Sequence, residues 1–174
     1  MNSSDSPCIV IVANTSWSIY NFRKNLIISL INEGYRIVTI SSHDNYLKSL
    51  TSLGCECIEI DVDSGGKNIL KDCKTIFQLF NIYRKKKPSV VLHFTPKICI
   101  YSSIVCSISN IPFISNISGL GLIFSENNLI LKFVKFLYKI SQKRAAKVFF
   151  QNEEDLKKFV DLKIVALDIT DLLP

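Results

Sequence analysis

Apolar residues in this chain come in short uncharged runs, separated by polar stretches with a helical period. The run 8–13 (CIVIVA) is β-branched and free of charge, the pattern of a parallel strand covered on both faces. Turn-like residues follow at 14–18. A helix is expected over 20–33, where Phe22, Leu26, Ser29, Leu30 and Glu33 recur at steps of three and four and Gly34 provides a stop. Strand 36–41 (RIVTIS) closes a first β-α-β unit. The pattern then repeats as a short helix at 44–53 ending at Gly54, a strand at 55–60, a loop at 61–67 and a helix at 68–87. The last of these ends in Arg84, Lys85, Lys86 and Lys87 before Pro88. Cations suit the negative end of a helix, and proline stops it. Strand 89–94, helix 97–109, strand 112–117, helix 127–146, strand 147–150 and helix 153–161 complete the series.

Six strands alternating with helices, each strand a continuous apolar run, imply the α/β class. The expected architecture is a Rossmann-like open parallel sheet with right-handed crossovers and helices on both faces, in which strand 8–13 is central. Such sheets take ligands beyond the carboxyl ends of their strands. The loops of interest are therefore 14–18, 93–97, 118–125 and 151–152.

At 174 residues the chain is long enough for one well-buried domain and short for two, which need roughly 250 or more. The expected domain covers 7–163 after a disordered start at 1–6. A hydrophobic fraction of 48% with 21% charged residues fits a globular protein. No apolar stretch reaches the roughly 20 uncharged residues of a spanning helix, and no signal peptide opens the chain, so a cytoplasmic setting is expected. The cysteines Cys8, Cys55, Cys57, Cys73, Cys99 and Cys106 all sit in apolar runs and read as buried reduced thiols. Cys55 and Cys57 point the same way from a strand, but no second ligand pair has metal spacing, and no metal is expected. The net charge of +6 favours an anionic partner: nucleic acid, phospholipid or a phosphorylated substrate. Aromatics confined to apolar runs and the absence of a nucleic-acid motif argue against the first.

Candidate chemistry collects in the expected loops. Segment 14–18 (NTSWS) has no Gly-x-Gly-x-x-Gly, so no dinucleotide cofactor is expected. Its hydroxyls can receive a phosphate or a sugar at a helix N-terminus, or Ser18 can simply cap that helix. Trp17 needs something to pack on. His93 ends a strand beside Thr95, Pro96 and Lys97, where it either meets a ligand or serves the fold. Lys97 opposes the helix dipole, so it answers either an anion or solvent. Gly119 and Gly121 allow close backbone approach to a ligand or form a tight turn. On the helix 127–146, Lys132, Lys135, Lys139, Lys143 and Lys147 fall within roughly a third of the circumference. Phe133, Phe136 and Ile140 edge this stripe, while Leu131, Val134, Leu137 and Tyr138 lie toward the core. A membrane-surface patch of Lys132, Lys135, Phe136, Lys139 and Lys143 is one reading, and a solvated face is the other.

Four segments, 14–30 (NTSWSIYNFRKNLIISL), 91–101 (VLHFTPKICIY), 111–122 (IPFISNISGLGL) and 148–155 (VFFQNEED), resemble in order and spacing the N-terminal domain of family 4 retaining glycosyltransferases with the GT-B fold. The likeness extends in particular to bacterial enzymes that build undecaprenyl-diphosphate-linked glycans, and it covers 7–163. The resemblance implies transfer, with retention, from a nucleotide sugar that is a substrate, not a cofactor. It implies a lipid-linked glycan acceptor, a place in surface polysaccharide or glycoprotein glycan synthesis, and work at the inner face of the plasma membrane. It would put Ser16, Trp17, Tyr20, Asn21 and Arg23 at the cleft floor. His93, Lys97, Gly119 and Gly121 would lie on the acceptor side and Asn152 near the interdomain face. Ser118 matches a position that carries a histidine in some members, so catalytic residues stay unassigned. In the family a linker and a donor-binding domain follow, where this chain has the tail 164–174. The expectation is that the polypeptide alone is inactive. The alternative is a non-catalytic membrane-recruitment or acceptor-binding module, or a subunit of a split enzyme.

Overall fold

The computed structural model of the chain describes residues 6–62, 68–118 and 129–173, with side chains in the last segment from Lys132 onward. The chain divides into two compact units, Met1–Leu92 and His93–Pro174.

The first unit contains β1 (Cys8–Thr15), α1 (Ser16–Asn32), β2 (Arg36–Ser42), α2 (Leu47–Ser52), β3 (Glu56–Glu59) and α3 (Ile69–Lys86). β1 runs parallel to β2 with Cys8 opposite Arg36 and Val12 opposite Ile40, and β2 runs parallel to β3 with Val38 opposite Glu56. From Cys8 to Ala13 no residue of β1 is more than 5% exposed. Each large aliphatic side chain buried there contributes roughly 1.5–3 kcal/mol. α1 ends at Gly34, whose φ of +87° is the left-handed conformation that glycine adopts without a Cβ penalty.

The expected loop 14–18 does not exist as a loop. β1 continues to Thr15 and α1 begins at Ser16, with Thr15 rather than Ser18 as the N-cap. Thr15 Oγ1 accepts from the Ser18 amide at 3.2 Å, and Ser18 Oγ donates to the Thr15 carbonyl at 2.8 Å. The first of these bonds satisfies the Ser18 amide in a first turn that has no apolar period to announce it.

β4 (Val90–Phe94) straddles the division. After it come α4 (Pro96–Ser109), β5 (Phe113–Ile117), α5 (Leu129–Ser141), a 3-10 turn (Gln142–Arg144), β6 (Lys147–Phe150), α6 (Glu153–Asp161), a second 3-10 turn (Leu167–Ile169) and β7 (Thr170–Leu172). β5 pairs in parallel with β6 and β6 with β7. The strand order is β3-β2-β1-β4 through the first unit and β4-β5-β6-β7 through the second. The result is the expected Rossmann-like parallel sheet, with β1 in the interior between β2 and β4. β7 is a seventh strand that the sequence pattern did not show. It is three residues long with Asp171 exposed, too short and polar to read as an apolar run.

The helix expected over 127–146 stops at Ser141. Gln142 is fully buried, and its Nε2 donates to the Cys99 carbonyl at 3.2 Å and to Ser103 Oγ at 3.1 Å, which binds the tightened turn to α4. Lys143 therefore lies on that turn, and Lys147 opens β6 with its Nζ 3.7 Å from Asp171. The cationic stripe on the helix itself is reduced to Lys132, Lys135 and Lys139.

Candidate functional site

In the first unit, the candidates gather where β1 runs into α1. Ser16 is fully buried, and its Oγ lies 2.6 Å from Ser41 Oγ, joining the helix start to β2. Its hydroxyl is enclosed and engaged with Ser41. Trp17 is 46% exposed, and its ring meets that of Phe22 edge to face at 5.5 Å; Phe22 is itself 62% exposed. Asn21 Nδ2 donates to the Trp17 carbonyl at 2.9 Å, and Arg23 Nη1 donates to the Phe22 carbonyl at 3.0 Å. The Tyr20 ring lies 5.6 Å from that of Tyr46, with Lys24 Nζ 5.2 Å from its centroid.

Asp44, which sequence reasoning passed over, controls this corner. Its Oδ2 accepts from the Trp17 amide at 2.9 Å and its Oδ1 from the Tyr46 amide at 2.8 Å. The positive end of α1 therefore already holds a carboxylate. A phosphate there would meet like charge, whereas neutral hydroxyls would not. Beside Asp44, Ser42, His43, Glu59, Asp61 and Gln78 line a polar cavity of about 460 Å³ at the carboxyl ends of β2 and β3. His43 Nδ1 and Glu59 Oε2 are 2.8 Å apart. The rule that ligands bind beyond strand ends applied to these strands too and would have found them.

In the second unit, His93 is fully buried and stacks on Phe113 at 5.1 Å. Its Nε2 is 2.8 Å from Ser102 Oγ, and its Nδ1 is 3.0 Å from Ser103 Oγ and 3.3 Å from Ser115 Oγ. Burial pushes its pKa down to about 3, so the ring is neutral. Both ring nitrogens are thus engaged inside the core. Asn152 likewise has a local task. Its Oδ1 accepts from the Asp155 amide at 2.8 Å and caps α6.

Lys97 stands in the first turn of α4, half-buried, with Nζ 5.9 Å from the Tyr101 ring centroid. That turn contains no acid, and the N-cap Thr95 makes no side-chain capping bond. Thr95 has φ +75° and ψ 140°, a strained conformation for a β-branched residue, and such strain concentrates at functional sites. Ser118 is half-buried just beyond β5. Asn116, within β5, is buried, and its Oδ1 has no partner among the described residues. Gly119 and Gly121 lie outside the described residues. No group of three or more His, Cys, Asp or Glu is arranged for a metal ion among the described residues.

A family profile described as glycosyl transferase 4-like matches residues 9–152. The chain belongs to the glycosyl transferase 4-like family. No curated protein matches its sequence significantly. Among solved structures, this family member is similar in fold to a glycosyltransferase from Rickettsia africae, with TM-score 0.70 and 18% identity over 97% of this chain and 42% of that one. It is similar to Anabaena Alr3699/HepE in complex with UDP and glucose, with TM-score 0.68 and 12% identity over 96% of this chain and 44% of that one. It is also similar to a UDP-GlcNAc 2-epimerase from Methanocaldococcus jannaschii, with TM-score 0.60 and 14% identity over 96% and 45%. The glycosyl transferase 4-like chain thus spans less than half the length of these structures. At such identities they share its fold, and the family profile supplies the transferase class.

Outside these loops, α5 exposes Phe133, Phe136 and Ile140 by 59%, 57% and 51%, and Tyr138 is buried. Lys132 and Lys139 are exposed and Lys135 is half-buried. Among the described residues, no helix is long and apolar enough to cross a membrane.

Proposed function

We propose that this chain is the acceptor-side half of a retaining glycosyltransferase. The enzyme would move a sugar from a nucleotide diphosphate to a lipid-linked glycan of the undecaprenyl-diphosphate kind, in surface polysaccharide or glycoprotein glycan synthesis at the cytoplasmic face of the plasma membrane. The observation that carries the lipid-facing part is α5, whose exposed Phe133, Phe136 and Ile140 share a surface with Lys132 and Lys139. Family membership supplies the reaction class.

In this reading the two candidate corners have different tasks. Trp17, held by Asp44 and edged by Phe22, receives neutral sugar hydroxyls and ring faces. Lys97, in the first turn of α4, receives the acceptor's anionic group. His93 and Ser16 keep the strand ends in position. The chemistry at the reacting centre is positioning and electrostatic stabilisation of the departing diphosphate.

The lipid-facing part is tested by flotation of the chain with vesicles of phosphatidylglycerol and phosphatidylcholine. Binding is expected, weakened by salt and lost when Lys132, Lys135 and Lys139 become Glu, since each cation near such a surface is worth at most about 1 kcal/mol. Binding indifferent to salt and to these changes would make the stripe a solvated face.

A further inference from the structure

We propose that a groove in the second unit, between α5, α6 and the segment 163–169, binds the hydrocarbon chain of an anionic amphiphile. The groove has a volume of about 830 Å³, within the range of sites that hold small molecules. Its walls are apolar, built from Phe136, Ile140, Val160, Ile164, Val165 and Leu167. Three of these are left largely uncovered, Leu167 being 65% exposed alongside Phe136 and Ile140.

The charge at its edge selects the occupant. Lys139, Lys143 and Lys163 line the groove, and among the described residues no acid does. Elsewhere Lys74, Lys86, Lys147 and Lys158 each pair with a carboxylate, whereas these three have no ion-pair partner among the described residues. An apolar trough edged by three uncompensated cations fits an aliphatic tail with an anionic head. A second copy of the chain would bring the same three cations against one another. The three cations favour an anionic head over a neutral one.

This inference deepens the lipid-facing reading of α5, and it can fail separately from it. Lys163, Ala166 and Ile169 line the groove but lie outside α5, whereas Lys132 and Lys135 lie on α5 and not in the groove. The test is calorimetric titration of the full chain with dodecyl phosphate below its micelle concentration, beside inorganic phosphate and the uncharged dodecyl maltoside. Dodecyl phosphate should bind saturably with one site per chain, inorganic phosphate should not bind at the same concentrations, and the maltoside should bind at least about tenfold more weakly. Ala166→Phe, which fills the trough, and Lys163→Glu, a surface change, should each weaken dodecyl phosphate about tenfold while vesicle flotation persists. Equal affinity for the maltoside, saturable binding of inorganic phosphate alone, or dodecyl phosphate binding indifferent to both variants would overturn the proposal, as would no saturable binding. Groove binding that survives Lys132→Glu and Lys135→Glu, with flotation never observed, would leave the groove standing and remove the membrane-surface reading.

Discussion

His93 is neutral in the folded chain because burial opposes its charged form, and this makes its contribution to stability dependent on pH. Unfolded, it protonates near 6.5; folded, only near 3. Its contribution is therefore fully present above about 6.5 and is lost as pH falls toward 3, by up to about 1.4 kcal/mol per unit. Urea unfolding should show about 2 kcal/mol less stability at pH 5 than at pH 6.5 from this group. His93→Gln should remove that part of the slope, and an unchanged slope would mean the ring is not held neutral. The sequence placed His93 correctly at a strand end but could not tell a ligand-facing ring from one enclosed by Ser102, Ser103 and Ser115, since those hydroxyls are remote in sequence. The cysteines show the same limit. Cys55, Cys99 and Cys106 are buried, with pKa values pushed up to about 12, whereas Cys57 is half-buried and Cys73 is exposed on α3, against the expectation that all six are buried. Cys73 is flanked by Asp72 and Lys74 and lies on the outer side of its helix. A thiol reagent at neutral pH should label one site quickly, and Cys73→Ser should abolish that fast phase; rapid labelling of Cys99 or Cys106 would contradict their burial.

Among elements, the longer strands β1, β2, β4 and β5 were the most legible because each is a mainly apolar run with turn residues at its ends. The junctions were least legible. β1 passes into α1 through hydrogen bonds of Thr15 and Ser18, and Gln142 ends α5 through bonds to α4, neither of which leaves a periodic trace. The turn from β4 into α4 is the junction with most functional weight, since Thr95 is held at φ +75° beside Lys97. A strained residue of this kind costs of order 1–3 kcal/mol, and glycine would relieve it at an entropic cost of roughly 0.5–1 kcal/mol. Thr95→Gly is expected to raise the melting temperature slightly while weakening acceptor binding. A clearly lower melting temperature would show that the Thr95 side chain, not the strain, dominates at this turn. On α5, the exposed aromatics and the buried Tyr138 were legible from helical spacing, and what periodicity missed was where that helix stops.

For the whole molecule, the order of alternating strands and helices carried the fold class, and four short segments carried the family, which the profile over 9–152 matches. β7 was invisible because a three-residue edge strand owes its existence to pairing with β6. Asp44 was missed because its task, occupying the positive end of α1, depends on a contact 27 residues away in sequence. The central proposal is that this chain supplies the acceptor side of a sugar transfer, in which turnover requires a donor-binding domain to close the cleft against water. The most direct measurement is incorporation of radiolabelled sugar from a nucleotide donor into a lipid-linked acceptor. It should be made with the chain alone and with a donor-binding half of the same family supplied in trans or fused after Leu173. The account predicts no transfer by the 174-residue chain alone, transfer on supplying the second half, and losses for Trp17→Ala and Lys97→Ala of about tenfold or more, with little change for Cys57→Ala. Robust turnover by the unassisted chain, or a reconstituted enzyme indifferent to Trp17 and Lys97, would contradict it.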